Sequence, residues 1–114
     1  MHPTLPPRRR RAAAFLALLL PALATSVRAA DGPALFADNC ASCHGPDGRA
    51  RTPAGKKVHA KDLTLSKLMD AEIEKQIKEG TKDSRGLVAM PPFKDQLADD
   101  DIKALIPVVK SFRK

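Results

Sequence analysis

Tryptophan and tyrosine are absent from this chain, and only 4 phenylalanines and 2 cysteines occur among its 114 residues. So little aromatic mass excludes a generous core, and small domains of this kind often rely on a covalent staple or a bound cofactor. A long apolar run is missing too. The longest stretch, residues 12–24, is interrupted by Pro21 and falls short of the roughly 20 residues needed to span a bilayer. No segment alternates β-branched and polar residues as a strand would, which removes the βαβ setting of a thioredoxin-like thiol pair. With no internal repeats, residues 30–114 are expected to form a single domain.

Both cysteines lie in one motif, Cys40-Ala41-Ser42-Cys43-His44. A structural zinc site would need four ligands, usually in two close pairs, and the fourth here would have to be the distant His59. Two thiols three residues apart with a histidine directly after the second read instead as covalent attachment of a c-type haem. On one helical turn each thiol can add to a vinyl group, which places His44 beneath the ring with a nitrogen toward the iron.

The start of the chain supports that reading. Arg8, Arg9, Arg10 and Arg11 form a basic region, residues 12–24 an apolar one, and Val27-Arg28-Ala29 offers small residues around a cleavage point after Ala29. Residues 1–29 are therefore expected to be a cleaved secretory signal peptide, leaving no stable membrane anchor and a domain in the periplasm. General secretion of the unfolded chain fits, because the haem is attached after export. Five of the 20 basic residues precede Ala30, so 15 remain against 13 acidic residues and the net charge falls from +7 to +2. Two haem propionates would bring the protein near neutrality, which argues against nucleic-acid binding. In an oxidising compartment Cys40 and Cys43 could otherwise pair, but thioethers would consume both thiols.

Three helices are predicted in residues 30–114. Pro33 suits the first turn of a helix leading into the cysteine motif, with Gly32, Phe36 and Cys40 on one face. Gly32 is the residue a close helix crossing would want. A second helix over residues 70–79 carries Ile73 and Ile77 four apart on a charged, solvated background, with Gly80 placed to end it. A third begins near Asp99-Asp100-Asp101, favoured by the helix dipole, and ends at Lys110, Arg113 and Lys114. Its stripe of Ile102, Leu105, Ile106 and Val109 should pack on the first helix near Gly32 and Phe36. Pro107 falls on the solvent side, where it is expected to bend the helix around the core.

Gly32 and Phe36 ahead of the motif, the motif itself with Gly45, Asp62-Leu63-Thr64, Met90-Pro91-Pro92-Phe93 and the terminal amphipathic helix together resemble the small bacterial class I cytochromes c. The resemblance covers residues 31–114. It implies an all-α cytochrome c fold, with N- and C-terminal helices crossed over one haem c bound through Cys40 and Cys43. It also implies His44 and Met90 as the fifth and sixth iron ligands. Pro107, and Met69 in place of a Ser or Thr cap, depart from the family pattern. Local physics agrees with the role of Met90, since Pro91 holds it extended and Pro92 stiffens the segment beyond. Met69 and His59 are the other candidate ligands. The second ring nitrogen of His44 needs an acceptor, which the family often supplies from a proline-containing loop, here Thr52, Pro53 or Ala54.

A His/Met pair fills both axial positions and raises the potential relative to bis-histidine ligation. The expected function is soluble periplasmic electron transfer by a monomer, between donor and acceptor proteins, with no reaction of its own. Lys56, Lys57, Lys61, Lys82 and Lys94 would border the haem edge and could dock acidic partners. The alternatives are a cytochrome subunit of a dehydrogenase or oxidase complex, and a haem peroxidase or gas sensor with a labile sixth ligand.

Overall fold

The computed structural model describes residues 29–114; apart from Ala29, the expected signal peptide lies outside them. Within the described residues five helices and one small ribbon run in the order α1 (Gly32–Asn39), α2 (Ala41–His44), α3 (Pro53–Lys57), a 3₁₀ turn (Leu63–Leu65), α4 (Asp70–Glu79), β1 (Thr81–Lys82), β2 (Val88–Met90) and α5 (Asp99–Ser111). Among the described residues no helix is long and apolar enough to cross a membrane.

Helix α1 starts where Asp31 accepts the Ala34 N–H at 3.1 Å, with Pro33 in its first turn. It crosses α5 at Gly32, where a Cβ would run into the carbonyl oxygen of Ala104 and the side chain of Val108. The absent side chain therefore sets how closely the terminal helices approach. Beside the crossing, Phe36 and Phe112 stack with ring centroids 5.0 Å apart and planes tilted by 45°, an arrangement aromatic pairs favour. The apolar stripe of α5 is buried as expected, with Leu105 fully inaccessible and Ile102 nearly so. Pro107 sits inside α5 on its exposed face, and the helix continues past it to Ser111.

Ile73 and Ile77 of α4 complete the core with Phe93. The missing Ser or Thr cap of α4 is compensated by Glu72, whose carboxylate accepts the Met69 N–H at 2.7 Å. The charged face of α4 is more than a solvated surface. Lys78 reaches Glu74 at 2.7 Å and Asp99 at 3.0 Å, and Asp70 pairs with Lys110 at 2.7 Å, so two ion pairs tie α4 to α5.

The all-α architecture holds with one addition. Strands β1 and β2 pair antiparallel, Thr81 opposite Met90 and Lys82 opposite Val88. The ribbon turns directly out of α4 at Gly80, whose φ of +68° suits a residue without a side chain. A Cβ there would also strike the Met90 carbonyl.

Candidate functional site

Beneath the crossed terminal helices lies a cavity of ≈ 730 Å³, in the size range of cofactor sites. Cys40, Cys43 and His44 line it from one side and Met90 from another, and its floor includes Phe36, Ile73, Ile77, Leu105 and Val109 of the core. All four expected site residues are thus brought together, although 46 sequence positions separate His44 from Met90.

The thiols stand at the junction of α1 and α2. Cys40 ends α1, its N–H bonding the Phe36 carbonyl at 2.9 Å, and its own carbonyl accepts from His44 at 2.9 Å to begin the next turn. Both cysteines are free and half-buried, and burial pushes the Cys40 thiol up to about 11. Two unpaired thiols on one turn facing an apolar cavity fit a group that is held by two thioether bonds.

His44 is fixed by a hydrogen bond from Nδ1 to the Lys61 carbonyl, 2.9 Å. A carbonyl only accepts, so Nδ1 carries the proton and Nε2 keeps its lone pair for a metal. Burial lowers the His44 pKa and so favours the neutral ring, an effect the Lys61 bond partly opposes. The acceptor corrects the expectation of Thr52, Pro53 or Ala54. Those residues are committed to starting α3: the Thr52 hydroxyl accepts the Gly55 N–H at 2.9 Å and lies 2.7 Å from the Ser42 carbonyl, to which it donates. The Thr52 and Ala54 carbonyls accept from Lys56 and Val58.

Lys61 serves through its backbone, so no side-chain pattern could have pointed to it. Its carbonyl is pinned from both sides. Ala60 N–H bonds the Gly55 carbonyl at 2.8 Å, and Asp62 accepts from the Thr64 N–H at 2.9 Å and its hydroxyl at 2.6 Å. That hydroxyl bond, foremost, holds the Asp62 carboxyl below its ordinary value.

Met90 ends β2 half-buried against the core. Pro91 and Pro92 come next, and Phe93 anchors the exit by burying its ring and donating its N–H to the Ile77 carbonyl at 3.0 Å. Of the other candidate ligands, Met69 is 70% exposed and does not line the cavity. His59 does line it, exposed, at a φ of +53°. Among the described residues, no group of three or more His, Cys, Asp and Glu side chains is arranged to hold a metal ion. Of the five expected lysines, Lys61 and Lys82 border the cavity; Lys56, Lys57 and Lys94 do not, while Lys67, unanticipated, does.

Known proteins share this architecture. The chain is 38% identical to the KustC0563 c-type cytochrome in its solved structure, covering 74% of this chain and 99% of that one with a TM-score of 0.64. It is 36% identical over 75 residues to cytochrome c6 of Microcystis aeruginosa, 66% of this chain and 85% of the relative. A chain of the Kuenenia stuttgartiensis reducing HAO-like protein complex Kustc0457/Kustc0458 shares the fold at 24% identity, with a TM-score of 0.63 over 73% of this chain and 41% of that one. Fold, cavity and relatives together define a small class I cytochrome c, an electron carrier and not an enzyme. More narrowly, the chain belongs to the family described as cytochrome C oxidase, cbb3-type, subunit III, which matches residues 27–107. Membership implies covalently bound haem c.

Proposed function

We propose that this protein is a soluble, monomeric, periplasmic carrier of single electrons, holding one haem c through thioethers to Cys40 and Cys43. His44 and Met90 are the fifth and sixth iron ligands. The observation that carries this reading is that a histidine with its Nε2 lone pair free and a thioether on a braced loop line one cavity with both thiols. A haem held there supplies a reversible one-electron couple.

The chain's own residues keep that couple simple. Lys61 holds the His44 ring in one tautomer and orientation, while the prolines and Phe93 hold Met90 in place. With His44 and Met90 both supplied by the chain, a haem bound there would offer no free iron position to oxygen or peroxide, and the rigid placement of the two side chains would keep rearrangement small when the charge changes. Residues 1–29 act as the cleaved signal that delivers the unfolded chain to the periplasm. Lys61, Lys67 and Lys82 at the cavity border steer acidic redox partners, a contribution mainly to association rate.

The test is the visible spectrum of the oxidised, periplasmically matured protein beside Met90→Ala. The weak far-red band of sulfur on ferric haem should be present in the wild type and lost in the variant. A wild-type haem spectrum without it would overturn His/Met ligation.

A second reading is favoured by the family description, which names an oxidase subunit. On that reading the chain works within a complex, and it would copurify from membranes at a fixed ratio with larger subunits.

A further inference from the structure

Between the 3₁₀ turn and α4 the cavity is walled by a segment with no regular structure. Ser66 and Met69 have extended backbones; Ser66 and Leu68 are half-buried, while Lys67 and Met69 are exposed. Leu68 packs against the core and lines the cavity. It also lines a second hollow, of ≈ 360 Å³, with Glu72, Lys75 and Glu79 of α4. Its side chain is therefore part of the partition between an apolar cavity and a charged recess.

The hold on this partition comes from the far end of the chain. Its local bonds are few: Ser66 N–H to the Leu63 carbonyl at 3.2 Å, Leu68 N–H to the Ser66 hydroxyl at 3.4 Å, and Met69 N–H to Glu72. Among the described residues, the long-range hydrogen bonds of residues 66–70 both start at the end of α5. Lys110 Nζ donates to the Asp70 carboxylate at 2.7 Å, and Arg113 Nη2 donates to the Leu68 carbonyl, 45 positions away.

The two tethers are unequal. Lys110 and Asp70 are both solvent-exposed, and such pairs contribute little. Arg113 is sunk into the fold, with its Nε buried, and a charge-assisted bond counts for more away from water. Its base is firm as well, since the preceding Phe112 stacks on Phe36 and lies against Gly48.

We infer that Arg113 is a positioning residue of the haem site: through the Leu68 carbonyl it holds the wall of residues 66–68 closed, keeps water from the cofactor and so raises the midpoint potential. This rests on the reading that a haem c occupies the cavity, and adds a residue outside the cavity that tunes it. The iron carries one more positive charge when oxidised, and a dry, low-dielectric surrounding disfavours that extra charge. A wall that swings open admits water, favours the ferric state and lowers the potential.

The test compares matured holoproteins: wild type, Arg113→Met, Arg113→Lys and Lys114→Met. In Arg113→Met the equilibrium constant for reduction should fall about threefold, and amide exchange at Leu68 and Met69 should speed up about tenfold, as for a locally loosened segment. Arg113→Lys keeps the charge and one donor, and should recover part of both. Lys114 is exposed, so Lys114→Met removes the same unit charge without cutting the tether and should match the wild type. A potential unchanged in Arg113→Met, even with lower stability, would overturn the inference, and so would an equal fall in Lys114→Met. The far-red band reports Met90 independently: a wild type without it would overturn His/Met ligation, while the potentials and exchange rates would still decide the role of Arg113.

Discussion

The imidazole Nδ1 of His44 donates to the Lys61 carbonyl at 2.9 Å, across 17 positions of the chain. This bond turns a backbone segment into the device that orients a metal-binding ring. Its strength depends on how firmly the segment is held, and Asp62, next in sequence, does the holding through Thr64. The Asp62→Ala variant should loosen the segment and speed solvent exchange of the His44 Nδ1 proton, observed by NMR of the holoprotein. Asp62→Asn, which keeps an acceptor oxygen, should exchange nearly as slowly as wild type. Equal exchange in all three would show that Asp62 does not brace the carbonyl.

The two methionines of the described residues are sharply different in setting. Met90 lines the cavity half-buried, whereas Met69 is 70% exposed and outside it. Met69→Ala should therefore leave the far-red band and the potential unchanged. Since Met69 donates to Glu72 through its backbone N–H, Ala preserves that half of the cap, and stability should change by no more than about 0.5 kcal/mol. A shifted band in Met69→Ala would move the sixth ligand away from Met90.

Packing at the crossing of α1 and α5 should be unforgiving. A Cβ on Gly32 meets backbone at Ala104, which cannot swing aside as a side chain tip can. Gly32→Ala is expected to cost about 1–3 kcal/mol by overpacking. Leu105, fully buried and also a cavity wall, should cost about 2–5 kcal/mol as Leu105→Ala. Denaturant unfolding of the holoproteins measures both, and a neutral Gly32→Ala would mean that the helices can separate freely.

Stability should also respond to pH at both extremes through the Lys78 cluster. The carboxylates of Glu74 and Asp99 raise the Lys78 pKa above its ordinary 10.5, and Lys78 lowers that of Asp99 below 3.8. The depressed Asp99 stabilises the fold above its unfolded value and loses that contribution as pH falls through the folded one. The raised Lys78 contributes below 10.5 and loses its share as pH rises through the folded value. All these groups are solvent-accessible, so the effects are small and screened by salt. Lys78→Met should flatten the denaturation midpoint against pH at both ends, most visibly at low ionic strength.

Much of this arrangement was legible in residue order. Gly32 and Phe36, the stripe of α5, Ile73 and Ile77 of α4 and the Cys40-to-His44 motif each carry side chains whose spacing or chemistry states their role. The ribbon was not legible, because strands of two and three residues are too short to show alternation. Helix α3, absent from the three expected helices, does carry a signal: Thr52 before Pro53 is a cap followed by proline at the first helical position. The Lys61 carbonyl carries none, since every residue has one. Lys78 looked like surface charge; Glu74, four positions earlier on the same helix, is one partner, but the approach of Asp99 from another helix was not legible.

Pro107 is exposed within α5, and α5 carries the most buried side chains of the core on its other face. A proline there lacks the N–H that would bond the Lys103 carbonyl, and helix-interior proline costs up to about 3 kcal/mol relative to alanine. No core contact compensates, because the ring faces solvent. Pro107→Ala should therefore raise the thermal midpoint and slow amide exchange through the second half of α5, with the far-red band and potential unchanged. A variant no more stable than wild type would mean that the helix has already adapted its backbone around the proline at little cost.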